Sequence, residues 1–120
     1  MQARDRGQAA VELALCLPFV ALLITGVIQV GVVVRDHLAV QAAAREAARA
    51  ASVSAAPESA AAAAVAGFSS IGRIELDVQV GSDLVTATAR YVDHTDVPLI
   101  GLLVPDVVIE ASATMVFEPP

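Results

Sequence analysis

From Leu13 to Val34 the chain carries no Asp, Glu, Lys, Arg or His. Wound as an α-helix at about 1.5 Å per residue, such a run reaches roughly 33 Å. The hydrocarbon core of a bilayer is about 30 Å thick, so the run is long enough to span it. Pro18, Thr25, Gly26, Gln29 and Gly31 interrupt the apolar side chains without adding charge. Pro18 removes one helix hydrogen bond, and a kink near it is expected. A cleaved secretory signal fits less well, because its apolar region spans about 7–15 residues before a small-residue cleavage site. The nearest Ala-x-Ala here is Ala42 to Ala44, beyond Arg35 and Asp36.

The remaining composition limits what else the chain can build. It is 57% hydrophobic but only 3% aromatic, with no Trp, so its apolar mass is chiefly Ala, Val and Leu. Such a chain cannot form a large aromatic core; closely packed helices and short strands are open to it. The net charge is -6, and from Arg73 onward two Arg stand against eight acidic residues. That distal half repels nucleic acid and anionic headgroups, and no nucleic-acid partner is expected. A single cysteine, Cys16, provides neither a disulfide framework nor a metal cluster. Leu15 precedes Cys16 and most of the apolar run follows it, which argues for a buried membrane cysteine over a lipid-modified one.

Two flanks of the apolar run carry further information. Arg4 and Arg6 precede it, and Arg35, Arg45 and Arg49 follow it, so the positive charges alone do not orient the segment. Glu12 stands at its entrance. A carboxylate at a membrane helix centre costs about 2.5–3.5 kcal/mol, less near the interface, and a charge placed there usually has a partner or a task. Glu12 either caps the helix from headgroup water or serves assembly.

Past Val34 an Ala-rich helical pattern continues through Arg45, Glu46 and Arg49 to Ser52. Glu46 and Arg49, three apart, can pair; the charges form a solvated face or an intersubunit contact along a helix bundle. A break follows at Ser54–Pro57, and residues 58–66 read as a short helix ended by Gly67. From Arg73 the period switches to two. Ile74, Leu76, Val78 and Val80 alternate with polar residues, Gly81-Ser82-Asp83 reads as a hairpin turn, and Leu84–Val92 as a second strand. In a third strand, Val107–Phe117, residues Val107, Ile109, Ala111, Ala113, Met115 and Phe117 share a face. The expected class is α+β: a long N-terminal transmembrane helix extending into an Ala-rich region, packed on a three-stranded antiparallel sheet. The divisions are a leader at 1–7, a transmembrane helix at 8–34, an Ala-rich helical region at 35–67 and a small β domain at 73–118. The apolar stretch Pro98–Val104 covers the sheet edge or touches a partner or membrane.

The stretch Arg6-Gly7-Gln8-Ala9-Ala10-Val11-Glu12-Leu13 resembles the start of type IV prepilin-like proteins, and most closely the TadE-like pseudopilins of tight-adherence pilus systems. The stretch Leu38–Ala50 and the ending Glu110–Met115 look similar to the same family. The resemblance implies a bacterial inner-membrane protein, cut by a prepilin peptidase between Gly7 and Gln8. Its N-terminus would be cytoplasmic and its C-terminal domain extracytoplasmic. Partners would be other pilin-like subunits and the pilus assembly platform, with Glu12 setting the register between helices. Arg45, Glu46 and Arg49 are the candidates for intersubunit contact.

No enzyme and no cofactor are expected. His94 lies between Asp93 and Asp96, with Asp83 and Asp106 elsewhere, but the spacing matches no metal-ligand pattern. The competing class is a single-pass membrane scaffold or secretion accessory outside any filament. A secreted binding domain, the third class, would have a mature N-terminus near Arg45.

Overall fold

The computed structural model describes residues 2–93 and 105–120. Helix α1 runs without interruption from Gln2–Ser52, through Pro18. Its 51 residues correspond to about 77 Å of helix at 1.5 Å per residue, which accounts for most of the molecule's 84 Å long dimension. A short helix α2 (Pro57–Val65) follows, then a 3-10 segment (Ala66–Ile71) and strands β1 (Glu75–Val80), β2 (Leu84–Asp93) and β3 (Val107–Val116). The strands form an antiparallel sheet in the order β1-β2-β3. The class is α+β, as expected.

Burial divides α1 in two. Between residues 5 and 35 no side chain is buried, so the apolar run faces outward on every side. Asp36 is the first buried residue, and Val40, Ala43, Ala44, Ala47, Ala48, Ala51 and Ser52 follow. That spacing of three and four is one face of a helix. The packed fold thus begins where the charge-free run ends.

The core behind that face is made of small side chains. Ala87 and Ala89 on β2 are fully buried, and Val40 and Val85 are the largest side chains with no exposure. Alanines on both sides let helix and sheet approach closely, so dispersion contacts substitute for bulky residues. Phe68, Ile71, Leu76, Tyr91, Met115 and Phe117 close the rim.

The strand alternation holds with one difference. Leu76 and Val78 on β1 are half-buried, whereas Val80, at the end of the same face, is exposed. On β3 the expected face from Val107 to Phe117 turns inward throughout. The turn at 81–83 is closed by the Gly81 N–H donating to the Leu84 carbonyl at 2.8 Å.

Helix α2 begins at Pro57, whose missing N–H costs nothing in a first turn. The Ser54 hydroxyl accepts from the Ala56 N–H just before it, at 3.0 Å. The helix stops just before Gly67, as expected, but not in a left-handed turn there. Ala66 keeps right-handed helical angles and its N–H reaches the Ala62 carbonyl, so the chain tightens into a 3-10 turn. The left-handed position falls at Gly72 instead, with φ of 121°.

Chain directions follow from the contacts. Val107–Glu110 share a cleft with Val33, Val34, His37 and Leu38, at the end of the apolar run. At the other end, the Glu118 N–H donates to the Ser52 carbonyl. Strand β3 therefore runs alongside α1 in the same sense, and β2 returns toward the apolar half.

Candidate functional site

Gly7, Gln8 and Glu12 all lie on the exposed first turns of α1. The Gln8 side-chain amide donates to Glu12 Oε1 at 3.2 Å. Spacing of four places these side chains one above the other on a helix. Among the described residues nothing else bonds to the Glu12 carboxylate, so its second oxygen is open to an outside donor. Gly7 has no neighbour within 4 Å of where a Cβ would stand. A Gly inside a helix destabilises it by roughly 0.5–1 kcal/mol relative to Ala, so Gly7 loosens the first turns of α1.

The polar residues of the apolar run are handled locally. Thr25 donates its hydroxyl to the Ala21 carbonyl one turn back at 2.8 Å, so its hydroxyl hydrogen is satisfied within the helix. At the far end Arg35 Nε donates to Asp36 Oδ1 at 3.1 Å, and a terminal guanidinium nitrogen forms an ion pair with the same oxygen at 3.1 Å. The Asp36 side chain is 4% exposed and that of Arg35 65%. The buried carboxylate is thus held by a guanidinium that itself remains exposed.

The second candidate group is brought together only in part. Arg49 grips Glu46 with two hydrogen bonds, at 2.6 and 3.2 Å. This guanidinium contact lowers the Glu46 carboxyl below its ordinary range and raises Arg49. Arg45 is exposed on the neighbouring strip and shares a shallow cleft with Gln41, Glu110 and Ser112. The pair is therefore satisfied within the chain, while Arg45 remains available.

Some features escaped the sequence reading. The burial of Asp36 had no signal beyond its position one residue after Arg35. The Gln8–Glu12 bond was detectable from spacing alone. His94, Asp96 and the stretch Pro98–Val104 lie outside the described residues. Among the described residues no group of three or more His, Cys, Asp or Glu could hold a metal ion.

The geometry defines a class: among the described residues, one helix long and apolar enough to cross a membrane, none of that apolar window buried in the fold, with a small α+β head built on its distal half. Within that class, residues 7–49 match the family model described as TadE-like protein. The matched segment takes in Gly7, Gln8, Glu12, the whole apolar run and Arg45–Arg49. No curated protein and no solved structure matches the chain. Over its long N-terminal helix the chain is thus similar to TadE-like proteins, and that helix is long and apolar enough to cross a membrane.

Proposed function

We propose that the chain is a minor pilin or pseudopilin of a tight-adherence pilus, with a structural or assembly role and no catalytic one. The observation that carries this reading is the division of α1. Its first half offers apolar side chains in every direction, and its second half carries the head on a seam of alanine. A rod of this kind can sit in the inner membrane and later pack among similar rods without refolding its head.

A prepilin peptidase cuts between Gly7 and Gln8 in this proposal. Removing residues 1–7 deletes two Arg and one Asp, so the net charge goes from -6 to -7, and the new α-ammonium on Gln8 restores one positive charge at the helix tip. The Gln8 amide holds one oxygen of Glu12, and the ammonium of a neighbouring subunit takes the other. An acid near lipid is far less costly when paired, so this contact favours one axial register between helices. The head faces the extracytoplasmic side, and the other contacts are with pilin-like subunits and the assembly platform.

Mass spectrometry of the mature N-terminus tests the reading. A chain beginning at Gln8 is expected. An uncut chain beginning at Met1 would instead favour a membrane scaffold, and one beginning near Arg45 a secreted domain.

A further inference from the structure

The outer face of the sheet changes character along its length. Its middle rows are polar: the register places Arg90 between Glu75 and Glu110, then Thr88 between Asp77 and Ser112. The row beyond Arg90, at the end nearest the apolar half of α1, is Val92 paired with Val108. Both are exposed, Val108 by 50%. On α1, Val34 and Leu38 are one turn apart and also exposed. The cleft that joins Val34 and Leu38 to Val107 and Val108, bordered also by His37 and Glu110, makes these four apolar side chains neighbours on one surface that continues the membrane-length run.

We infer that this surface rests in the lipid interface, so that the head is docked on the bilayer rather than held clear of it. The inference rests on the membrane reading of residues 13–34. If that run spans the hydrocarbon, Val34 lies at its border and Val108 lies beside Val34, at the level of the headgroups. Apolar side chains at that depth leave water for the boundary between headgroups and acyl chains. The Glu75–Arg90–Glu110 row one step farther out marks where the water phase resumes. That row holds two acids against one base, so it adds no attraction to anionic headgroups, and the contact made by the valines and Leu38 is apolar.

The opposite end of the sheet provides an internal control. Leu84 pairs with Val116, and both are exposed. Val116 lies eight residues beyond Val108 on β3, a distance of roughly 26 Å at about 3.3 Å per residue, too far to reach the same interface.

The test uses the full chain reconstituted in phosphatidylcholine vesicles that carry a nitroxide on the headgroup or deep in the acyl chain. In a Cys16→Ser background, single Val108→Cys, Val116→Cys and Ile24→Cys variants are labelled with an environment-sensitive fluorophore. Headgroup nitroxide should quench the label at 108 about threefold more than that at 116, since interfacial burial of roughly 5–10 Å brings only the first within range. Equal quenching at 108 and 116, with the label at 24 quenched by the deep nitroxide, would overturn docking while leaving the anchor intact; that outcome also covers a patch occupied by residues 94–104. A label at 24 that neither nitroxide quenches would remove the anchor and the docking with it.

Discussion

The backbone N–H of Glu118 donates to the carbonyl of Ser52 at 2.8 Å, joining the tail after β3 to the last turn of α1. The final carbonyls of a helix have no partner within it, and this bond supplies one of them from a segment 66 residues later in the chain. The neighbouring Phe117 N–H donates to Asp83, so the tail also closes the hairpin. Head and helix are therefore locked at the end farthest from the apolar run.

Glu118→Pro removes that donor. It should lower stability by about 1–3 kcal/mol, the cost of leaving a buried or half-buried carbonyl without its partner. Glu118→Ala, which keeps the N–H, should stay within about 0.5 kcal/mol of the parent. Urea unfolding followed by circular dichroism in mild detergent distinguishes the two.

The alanine seam predicts sensitivity to added volume. Ala47 has no exposure, whereas Ala42 on the same helix is exposed. Ala47→Leu should destabilise by about 1–3 kcal/mol or more, because helix and sheet must separate to admit the side chain. Ala42→Leu should change stability by less than about 0.5 kcal/mol. Thermal midpoints of the two variants provide the comparison.

Gly72 combines a positive φ with close contact to Tyr91. A Cβ at this position would stand 2.9 Å from Tyr91 Cε2. Gly72→Ala therefore meets both backbone strain and a ring that must shift, and should cost about 1–3 kcal/mol. Chemical denaturation, with Gly67→Ala as the unhindered control, would measure this.

The Glu46–Arg49 pair has a defined pH signature. Its folded carboxyl titrates below the ordinary value because of the Arg49 hydrogen bonds. A depressed folded value adds stability above the unfolded carboxyl range, and that contribution is lost as pH falls through the folded one. Because the pair is exposed, the change is small. Glu46→Gln should flatten the acid limb of the stability profile only slightly, and a large change would show the pair to be more deeply packed than it is here.

Glu12→Ala should separate anchoring from assembly. The variant should insert and be cut at Gly7–Gln8 as before, yet recruit pilin-like partners poorly. Normal pilus formation by this variant, scored by electron microscopy and by shearing from cells, would contradict the register role.

Much of this fold was legible because its elements obey simple periods. The charge-free run, the alanine helix and the alternation from Val107 to Phe117 each follow from which faces must be dry. What could not be read depends on residues distant in sequence meeting in space. Nothing around Ser52 announces Glu118, and nothing around Gly72 announces Tyr91. The α-helix stops just before Gly67, but the chain passes through Gly67 as a 3-10 turn, and the left-handed position falls five residues on, at Gly72. Val80 continues the apolar alternation but stands exposed, in an open cleft beside the first turn of α2 and Phe117. At the N-terminus, Gly7, Gln8 and Glu12 are singled out by resemblance alone, and the Gln8–Glu12 bond follows from their spacing of four once this stretch is helical.

Alkaline carbonate extraction of membranes from cells making the full chain tests the central claim most directly. Retention of the protein in the membrane pellet, with release only by detergent, is the predicted result. Its appearance in the supernatant as a stable folded monomer would contradict the account, because the outward-facing side chains from Leu13 to Val34 would then need some shelter other than lipid.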